Sequence, residues 1–316
     1  MRILKPSDLP CSEHSGHVVT IGSFDGLHVA HQAILREMQA LSRRLGVPSV
    51  VVTFRVPPKY FIRKETPQLL TTWEERVPLY RRFRVQEVLL LDFDEALMDT
   101  PADVFLHQFL VQGLRARWVV IGFNHRFGRN REGGPEFLAR YVEPFDFGLT
   151  LLPPLKVDGL VVSSSVIRKL LRRGEVARAA RLLGYFYTVE GRVYADRGLG
   201  HRALVPTANL AVPPEKLLPA PGVYAVFLQV GRRRYPAVAN LGVSPTVQER
   251  SRPVLEVHVP GHSLQLEGRR VRVAFVERLR EEQRFPSLEA LRKQIQEDTQ
   301  RALAILQRVD SLRSGL

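Results

Sequence analysis

The chain has 316 residues, 45% of them hydrophobic and 25% charged, the balance of a globular protein of about two domains. Its longest apolar runs, such as "EVLLLDF" and "ARWVVIGF", fall far short of the roughly 20 residues that a membrane helix needs, and the opening "MRILKPSDLP" lacks a signal peptide's basic-then-apolar pattern. One cysteine excludes an intrachain disulfide and a cysteine-built zinc site, while the net charge of +14, spread as arginine along the chain, favours anionic ligands without choosing among them. A cytoplasmic protein with no membrane partner is expected. No block of five or six basic residues and no basic stretch interleaved with aromatics occurs, so nucleic acid is not expected as a partner. The oligomeric state is left open.

In chain order, "HVVTIGSF" reads as a strand. Ile34, Met38, Leu41 and Leu45 then recur at the spacing of an amphipathic helix that starts near Val29 and stops at Gly46. "PSVVVTF", "EVLLLDF", "ARWVVIGF" and "FGLTLLPPLKV" are further strands, with helical stretches such as "PADVFLHQFLVQGL" between some of them. Near-continuous apolar strands separated by helices predict a Rossmann-like α/β domain, its parallel sheet covered on both faces. "SSSVIRKLLRRGEVARAARLLG" predicts a serine-capped helix with Ile167, Leu170 and Leu171 buried. After Gly184 the texture changes to short, partly alternating runs: "YTVEGRVYAD", "GVYAVFLQVGRRRYPAVANLG" with a hairpin turn, "VLEVHVP" and "RRVRVAFVERL". These predict a mostly antiparallel β-barrel, closed by the amphipathic helix "SLEALRKQIQEDTQRALAILQ". The domains are therefore 1–184 and 185–316.

The segment "GSFDGLHVAHQAIL" carries the first candidate site. Gly22 and Gly26 let the chain turn off the first strand and pass close to a ligand, and the helix N-terminus that follows faces whatever lies above the sheet edge. His28 and His31 at the helix start can donate to a triphosphate and stabilise charge on a leaving pyrophosphate. Two histidines offer at most two metal ligands, which makes a metal centre the weaker reading, and a buried core pair is the third. GxxxxGK[ST] and a GxGxxG first turn are both absent.

"GSFDGLHVAHQAI" resembles the GxFDGxHxGHxxI signature of the flavin-cofactor-forming nucleotidyltransferases, and the likeness continues in order along nearly the whole chain. "IGFNHRFGRNREG" is similar to GxDFRFGxxRxG, and "SSSVIRKLL" to ISSTxIRxxL. "VPTANLAVP" matches the PTAN motif of riboflavin kinases, and "VLEVHV" resembles their LExHLL strand. The combined resemblance is to the bacterial bifunctional riboflavin kinase and FAD synthetase family. It implies phosphorylation of riboflavin to FMN and adenylylation of FMN to FAD, with ATP as co-substrate, magnesium as cofactor and no covalent enzyme intermediate.

Carried onto this sequence, the resemblance implies nucleotide contacts from Gly22, Phe24, Asp25, Gly26, Asn124, Ser163, Ser164 and Arg168, with His28 and His31 catalytic. In the second domain it implies an ATP loop with Gly198 and Gly200, and Thr207 and Asn209 as oxygen donors to magnesium, Thr207 also contacting the nucleotide. Glu256 would be the general base, and Asn240, Glu281 and Phe285 would shape the flavin pocket. Four positions depart from the pattern: Ala30 for glycine between the histidines, Pro57 for histidine, Gly134 for aspartate and Leu204 for glycine. The alanine methyl would press on the adenine or the phosphate path, and Leu204 would narrow the ATP approach. Two other readings stay open: one activity only, the kinase being the one kept, or a non-catalytic flavin- or nucleotide-binding regulator that contacts nucleic acid.

Overall fold

The computed structural model describes residues 1–11, 14–194, 205–243, 253–262 and 264–314. The chain divides into two compact units, Met1–Ser164 and Ser165–Leu316. The first holds β1 (Arg2–Leu4), β2 (His17–Ile21), α1 (Val29–Leu45), β3 (Ser49–Phe54), α2 (Pro58–Arg63), α3 (Trp73–Arg82), β4 (Glu87–Leu91) and α4 (Glu95–Met98). It continues with α5 (Ala102–Phe105), which runs into a wide helical turn over Leu106–Gly113, then β5 (Ala116–Gly122), α6 (Pro135–Ala139), β6 (Gly148–Leu152) and the small hairpin of β7 (Lys156–Val157) and β8 (Leu160–Val161).

Six parallel strands form the sheet in the order β1-β4-β3-β2-β5-β6. Alternate side chains face opposite layers, as a sheet buried on both faces requires. Val18, Val51, Val88 and Val120 pack on the α1 stripe of Ile34, Leu35, Met38 and Leu41, while Val19, Ile21, Val50, Val52, Val119 and Ile121 pack on Phe105, Leu106 and Leu110. Leu45, read as part of the stripe, is exposed, and Leu35 takes its place: the helix is in its last turn by then, and Gly46 ends it in the left-handed conformation at φ 67°. The edge strand β1 is an addition to the sequence reading. The chain runs from β2 outward through β3 and β4, then crosses back to β5 on the other side, so the topology reverses between β2 and β5.

The second unit begins with α7 (Ser164–Arg172), which starts at the division, and α8 (Val176–Leu183). The single helix expected there is two, because Gly174 adopts φ +76° between them. Strands β9 (Tyr187–Tyr194), β10 (Ala208–Ala211), β11 (Gly222–Val230), β12 (Arg233–Val243), β13 (Pro253–His258) and β14 (Arg270–Arg280) follow, then α9 (Leu288–Ser314). They close into an antiparallel barrel in the order β10-β13-β12-β11-β14-β9. Tyr224, Val226, Leu228, Leu241, Leu255, Val257, Val273 and Phe275 fill its interior. The opposite faces of β11 and β14 carry Val223, Ala225, Phe227 and Val276, which pack on Ala302 and Leu306 of α9. No described helix is long and apolar enough to cross a membrane.

One buried histidine–carboxylate hydrogen bond crosses the first sheet at the amino ends of its strands. His17 lies with Nδ1 2.6 Å from the Leu114 carbonyl and Nε2 3.1 Å from Glu87 Oε2. Both ring nitrogens face acceptor oxygens. The hydrogen bond from His17 is the main cause holding the Glu87 carboxyl below the usual carboxylate range, against its burial. A carboxylate with a depressed folded pKa stabilises the fold above that range and loses the contribution as pH falls through the folded value. Glu87→Gln is therefore expected to cost about 2 kcal/mol at neutral pH, the worth of a buried hydrogen bond to a charged group. In urea denaturation the gap to the parent should narrow once pH falls below the ordinary carboxylate range, and a gap constant with pH would contradict the lowered Glu87 pKa.

Candidate active sites

The turn after β2 is built by its own backbone. Phe24, Gly26 and Leu27 all adopt positive φ, at 47°, 84° and 33°, which swings the chain sharply from Ile21 into α1. Phe24 and Leu27 are buried, and Phe24 lies 4.9 Å from the His31 ring. Gly22 stands against Phe24: a Cβ there would come within 3.2 Å of its ring. The carboxylate of Asp25 is engaged internally, accepting from the Leu70 and Thr71 amides at 3.1 and 2.9 Å, while Gly26 N–H donates to Thr71 Oγ1. The acid of "FDG" thus holds the turn in shape.

His28 is the N-cap of α1, and its Nδ1 accepts the His31 amide at 3.3 Å. That bond assigns Nδ1 as acceptor. The His28 and His31 rings stack at 3.6 Å, tilted by only 13°. His31 Nδ1 is buried with no hydrogen-bond partner among the described residues. Burial, then His28, then Arg76 push the His31 pKa well below its usual value, so the ring is neutral. Ala30 sits inside the first turn of α1, where alanine is a favourable residue, and Pro57 precedes the first residue of α2.

Asn124 follows β5 in a tight turn in which His125 N–H donates to the Gly122 carbonyl. Because β2 and β5 are paired neighbours, this turn and the His28 turn flank the point where strand order reverses, the place where open α/β sheets bind ligands. His125 is a residue the sequence reading passed over. Its Nε2 is buried and unpartnered among the described residues, its ring stacks on Phe127, and burial, with Arg126 and Arg131 adding, pulls its pKa down to about 4. Gly134 caps α6 with the Arg126 guanidinium filling the space that a side chain there would need. Ser164 Oγ, at the end of the first unit, donates to the Asp25 carbonyl at 2.9 Å. Ser163 lies just before α7, and Arg168 is one turn along it and buried.

The second omission is Arg76. Fully buried in α3, its guanidinium donates to the carbonyls of Ser23, Phe54, Arg55 and Thr71 at 2.8 to 3.3 Å. It joins the chain after β2, the chain after β3 and the segment that holds Asp25. The only sequence signal was the capping box of Thr72 and Glu75 that positions α3.

In the barrel, register does the assembling. Asn209 of β10 pairs with Glu256 of β13, and Glu256 pairs with Asn240 of β12, so three sequence candidates stand in one cross-strand row. Directly opposed residues have Cβ atoms about 5 Å apart and share a face. That face is the outer one, since Leu210, Leu255 and Leu241 of the next row are buried inside. Asn209 is buried, and its Oδ1 has no hydrogen-bond partner among the described residues. An orphaned amide oxygen beside a carboxylate and an exposed Thr207 is a donor set that suits a hard cation such as magnesium. His258, two residues beyond Glu256, holds the Pro206 carbonyl through Nδ1 at 2.8 Å and so fixes the loop carrying Thr207.

Glu281 and Phe285 lie in the segment after β14. Arg278 donates to Glu281, and Arg280, paired with Asp298 of α9, places its guanidinium 5.5 Å from the Phe285 ring. Arg280 opposes Val223, which opposes Asn240, so this segment is at the same end of the barrel as the row. Gly198, Gly200 and Leu204 lie outside the described residues.

A doubly wound unit with its polar turns at the switch point, followed by a barrel that aligns a carboxylate between two amides, is the layout of a two-site nucleotide-handling protein. The comparisons agree. The FAD synthetase family matches residues 11–166, and the riboflavin kinase family matches residues 183–306. The bifunctional riboflavin kinase/FMN adenylyltransferase of Pseudomonas fluorescens is 37% identical over 93% of this chain and 94% of its own, and that of Escherichia coli K12 34% identical over 92% and 93%. The chain belongs to the bifunctional riboflavin kinase/FMN adenylyltransferase family. A crystal structure described as a macrolide-efflux protein from Streptococcus pneumoniae superposes with a TM-score of 0.85 at 27% identity, over 95% of this chain and 98% of that one. The efflux description is that protein's own.

Two outcomes follow from the first site. Arg76→Met leaves four carbonyls without their donor and should lower the stability of the protein by about 3 kcal/mol or more, read from urea unfolding, with Arg76→Lys recovering part of the loss. In an NMR titration the ring protons of His31 and His125 should stay fixed from pH 6 to 8, since a lowered histidine pKa leaves the ring neutral throughout that window. A resonance of either ring moving there would contradict the buried, neutral assignment.

Proposed function

We propose that this chain makes flavin cofactors in two steps, transferring the γ-phosphate of ATP to riboflavin in the barrel and the adenylyl group of a second ATP to the FMN so formed in the α/β unit. The functional division follows the change of texture in the sequence, 1–184 for adenylyl transfer and 185–316 for the kinase. The observation that carries the reading is the register of the barrel, which sets Glu256 between Asn209 and Asn240. A lone glutamate on an outer strand face is ordinarily solvated. Flanked by an orphaned amide oxygen and a second amide, it is a base beside a metal-ligand position.

In the kinase step Glu256 accepts the proton of the riboflavin 5′-hydroxyl as that oxygen attacks the γ-phosphorus; the bond between the γ-phosphorus and the bridging oxygen breaks, and ADP leaves. Thr207 and Asn209 would hold magnesium, which when bound neutralises phosphate charge. His258 keeps the loop with Thr207 in place, and Asn240, Glu281 and Phe285 border the flavin. Gly198 and Gly200 belong to the ATP loop.

In the adenylyl step a phosphate oxygen of FMN attacks the α-phosphorus of ATP, and pyrophosphate leaves. Neutral His31, together with His28, donates hydrogen bonds to the phosphates from the start of α1, whose amides and dipole face the same charge. Asn124 and Gly22 border the nucleotide, Ser163, Ser164 and Arg168 hold its phosphates, and Phe24, Asp25 and Gly26 keep the turn open to it. A need for ATP and a single cysteine, which can form no intrachain disulfide, favour the cytoplasm as the compartment of this enzyme.

The test separates the two steps. With ATP and magnesium, riboflavin should give FMN and then FAD, and FMN supplied alone should give FAD, each resolved by chromatography. His31→Ala should reduce adenylyl transfer by two orders of magnitude or more and spare the kinase, and Glu256→Ala should do the reverse. The proposal fails if the parent protein makes neither product, and the site assignment fails if either variant loses both activities while still folded.

A further inference from the structure

The barrel has a second open end, and its chemistry differs from that of the row just described. Along β12 the residues Arg233, Tyr235, Ala237, Ala239 and Leu241 share the inward face, and along β11 Val230 opposes Arg233 while Leu228 opposes Tyr235. Arg233 lies seven residues before Asn240, about 23 Å away at the rise of a strand. A cavity of about 490 Å³ opens there, lined by Val230, Arg232, Arg233, Tyr235, Arg269 and the Leu264 to Leu266 segment. The Tyr235 ring is steadied edge-on by His262 at 5.3 Å.

The partners of the arginines sort by direction. Around this end Arg234 pairs with Asp310, and Arg270 and Arg272 both pair with Glu190. The three arginines that line the cavity, Arg232, Arg233 and Arg269, have no carboxylate partner among the described residues. Glu267 is exposed beside them and does not line the cavity. Three like charges around one concave space repel unless an anion occupies it, and planar guanidinium forks match phosphate oxygens. Val230, Leu264, Leu266 and the Tyr235 ring add an apolar wall, and the volume is in the range of small-molecule pockets at barrel mouths.

We propose that this end of the barrel is a binding site for a nucleotide, held by its phosphates on Arg232, Arg233 and Arg269 and by its base against Tyr235 and the leucines. The site is separate from either reaction centre and does not depend on the function proposed above. Occupancy there would tie the barrel's far end to the level of a free nucleotide.

Hydrogen exchange on the full chain, read by mass spectrometry with ATP as probe, tests it. ATP should slow exchange over 264–270 and 230–235, and Arg233→Ala with Arg269→Ala should raise the ATP concentration for half-protection at least tenfold. That double variant should leave protection of 205–211 and both turnover numbers unchanged. Inorganic triphosphate should protect more weakly than ATP, and adenosine should not protect at all. The inference is overturned if ATP protects only 205–211, if the double variant is protected like the parent, or if adenosine or triphosphate alone matches ATP. It is also overturned if a single-stranded oligonucleotide protects 264–270 at lower concentration than ATP, which would mark a nucleic-acid surface.

Discussion

Where the strands of a parallel sheet end, the chain turns away and its carbonyls no longer meet the amides of a neighbouring strand, so those that stay buried need another donor. In this protein one buried guanidinium solves that problem. Arg76 takes the carbonyls of Ser23, Phe54, Arg55 and Thr71, and the same segment supplies the Leu70 and Thr71 amides that fix Asp25. With Asp25 fixed, the positive-φ turn has one shape, α1 starts where it does, and His28 caps it. The arginine is electrostatic as well as structural. No carboxylate among the described residues pairs with it, so its charge reaches the site, where it helps keep His31 neutral and favours an anionic ligand.

The barrel solves a different problem by a different means. Asn209, Glu256 and Asn240 come from three strands, and no local contact in sequence brings them together; only the pairing of β10, β13 and β12 does. A slip of one residue in β13 would turn Glu256 into the apolar interior and Leu255 or Val257 outward, a cost that pins the register. The buried leucines and valines of the inner rows therefore hold the polar row on the outside. Packing of α9 on Phe227 and Val276 covers the far side of the barrel and leaves the face with Glu256 uncovered by that helix.

These two solutions explain what could be read from the sequence and what could not. The strands β2 to β6 and the helix α1 were legible because burial imposes a period, and Ile34, Met38 and Leu41 keep it. Leu45 also kept it and is exposed, since periodicity does not say where burial stops. The break at Gly174 and the three-residue edge strand β1 were too short to carry a period. His28, His31, Asn209 and Glu256 were found through resemblance to known motifs. Arg76 was missed because a single arginine on a short helix has the same local signature as a solvated one; its role lies in acceptors up to 53 residues away. His125 was missed for a similar reason, its burial being set by neighbours that the local sequence does not name.

The excess of positive charge invites a reading as a nucleic-acid surface, and the structure gives much of it other work. Arg76 binds carbonyls, Arg278 donates to the Pro221 carbonyl and to Glu281, Arg280 clamps Asp298, Arg301 donates to the Leu279 carbonyl, and Arg272 pairs with Glu190. An arginine used this way joins segments that hydrophobic contact alone would leave loosely aligned, because its planar fork reaches two acceptors in fixed directions. Net charge is thus a poor guide to partners in this chain. The informative arginines are those left without an acceptor beside a concave space, and around the barrel's second mouth they are Arg232, Arg233 and Arg269.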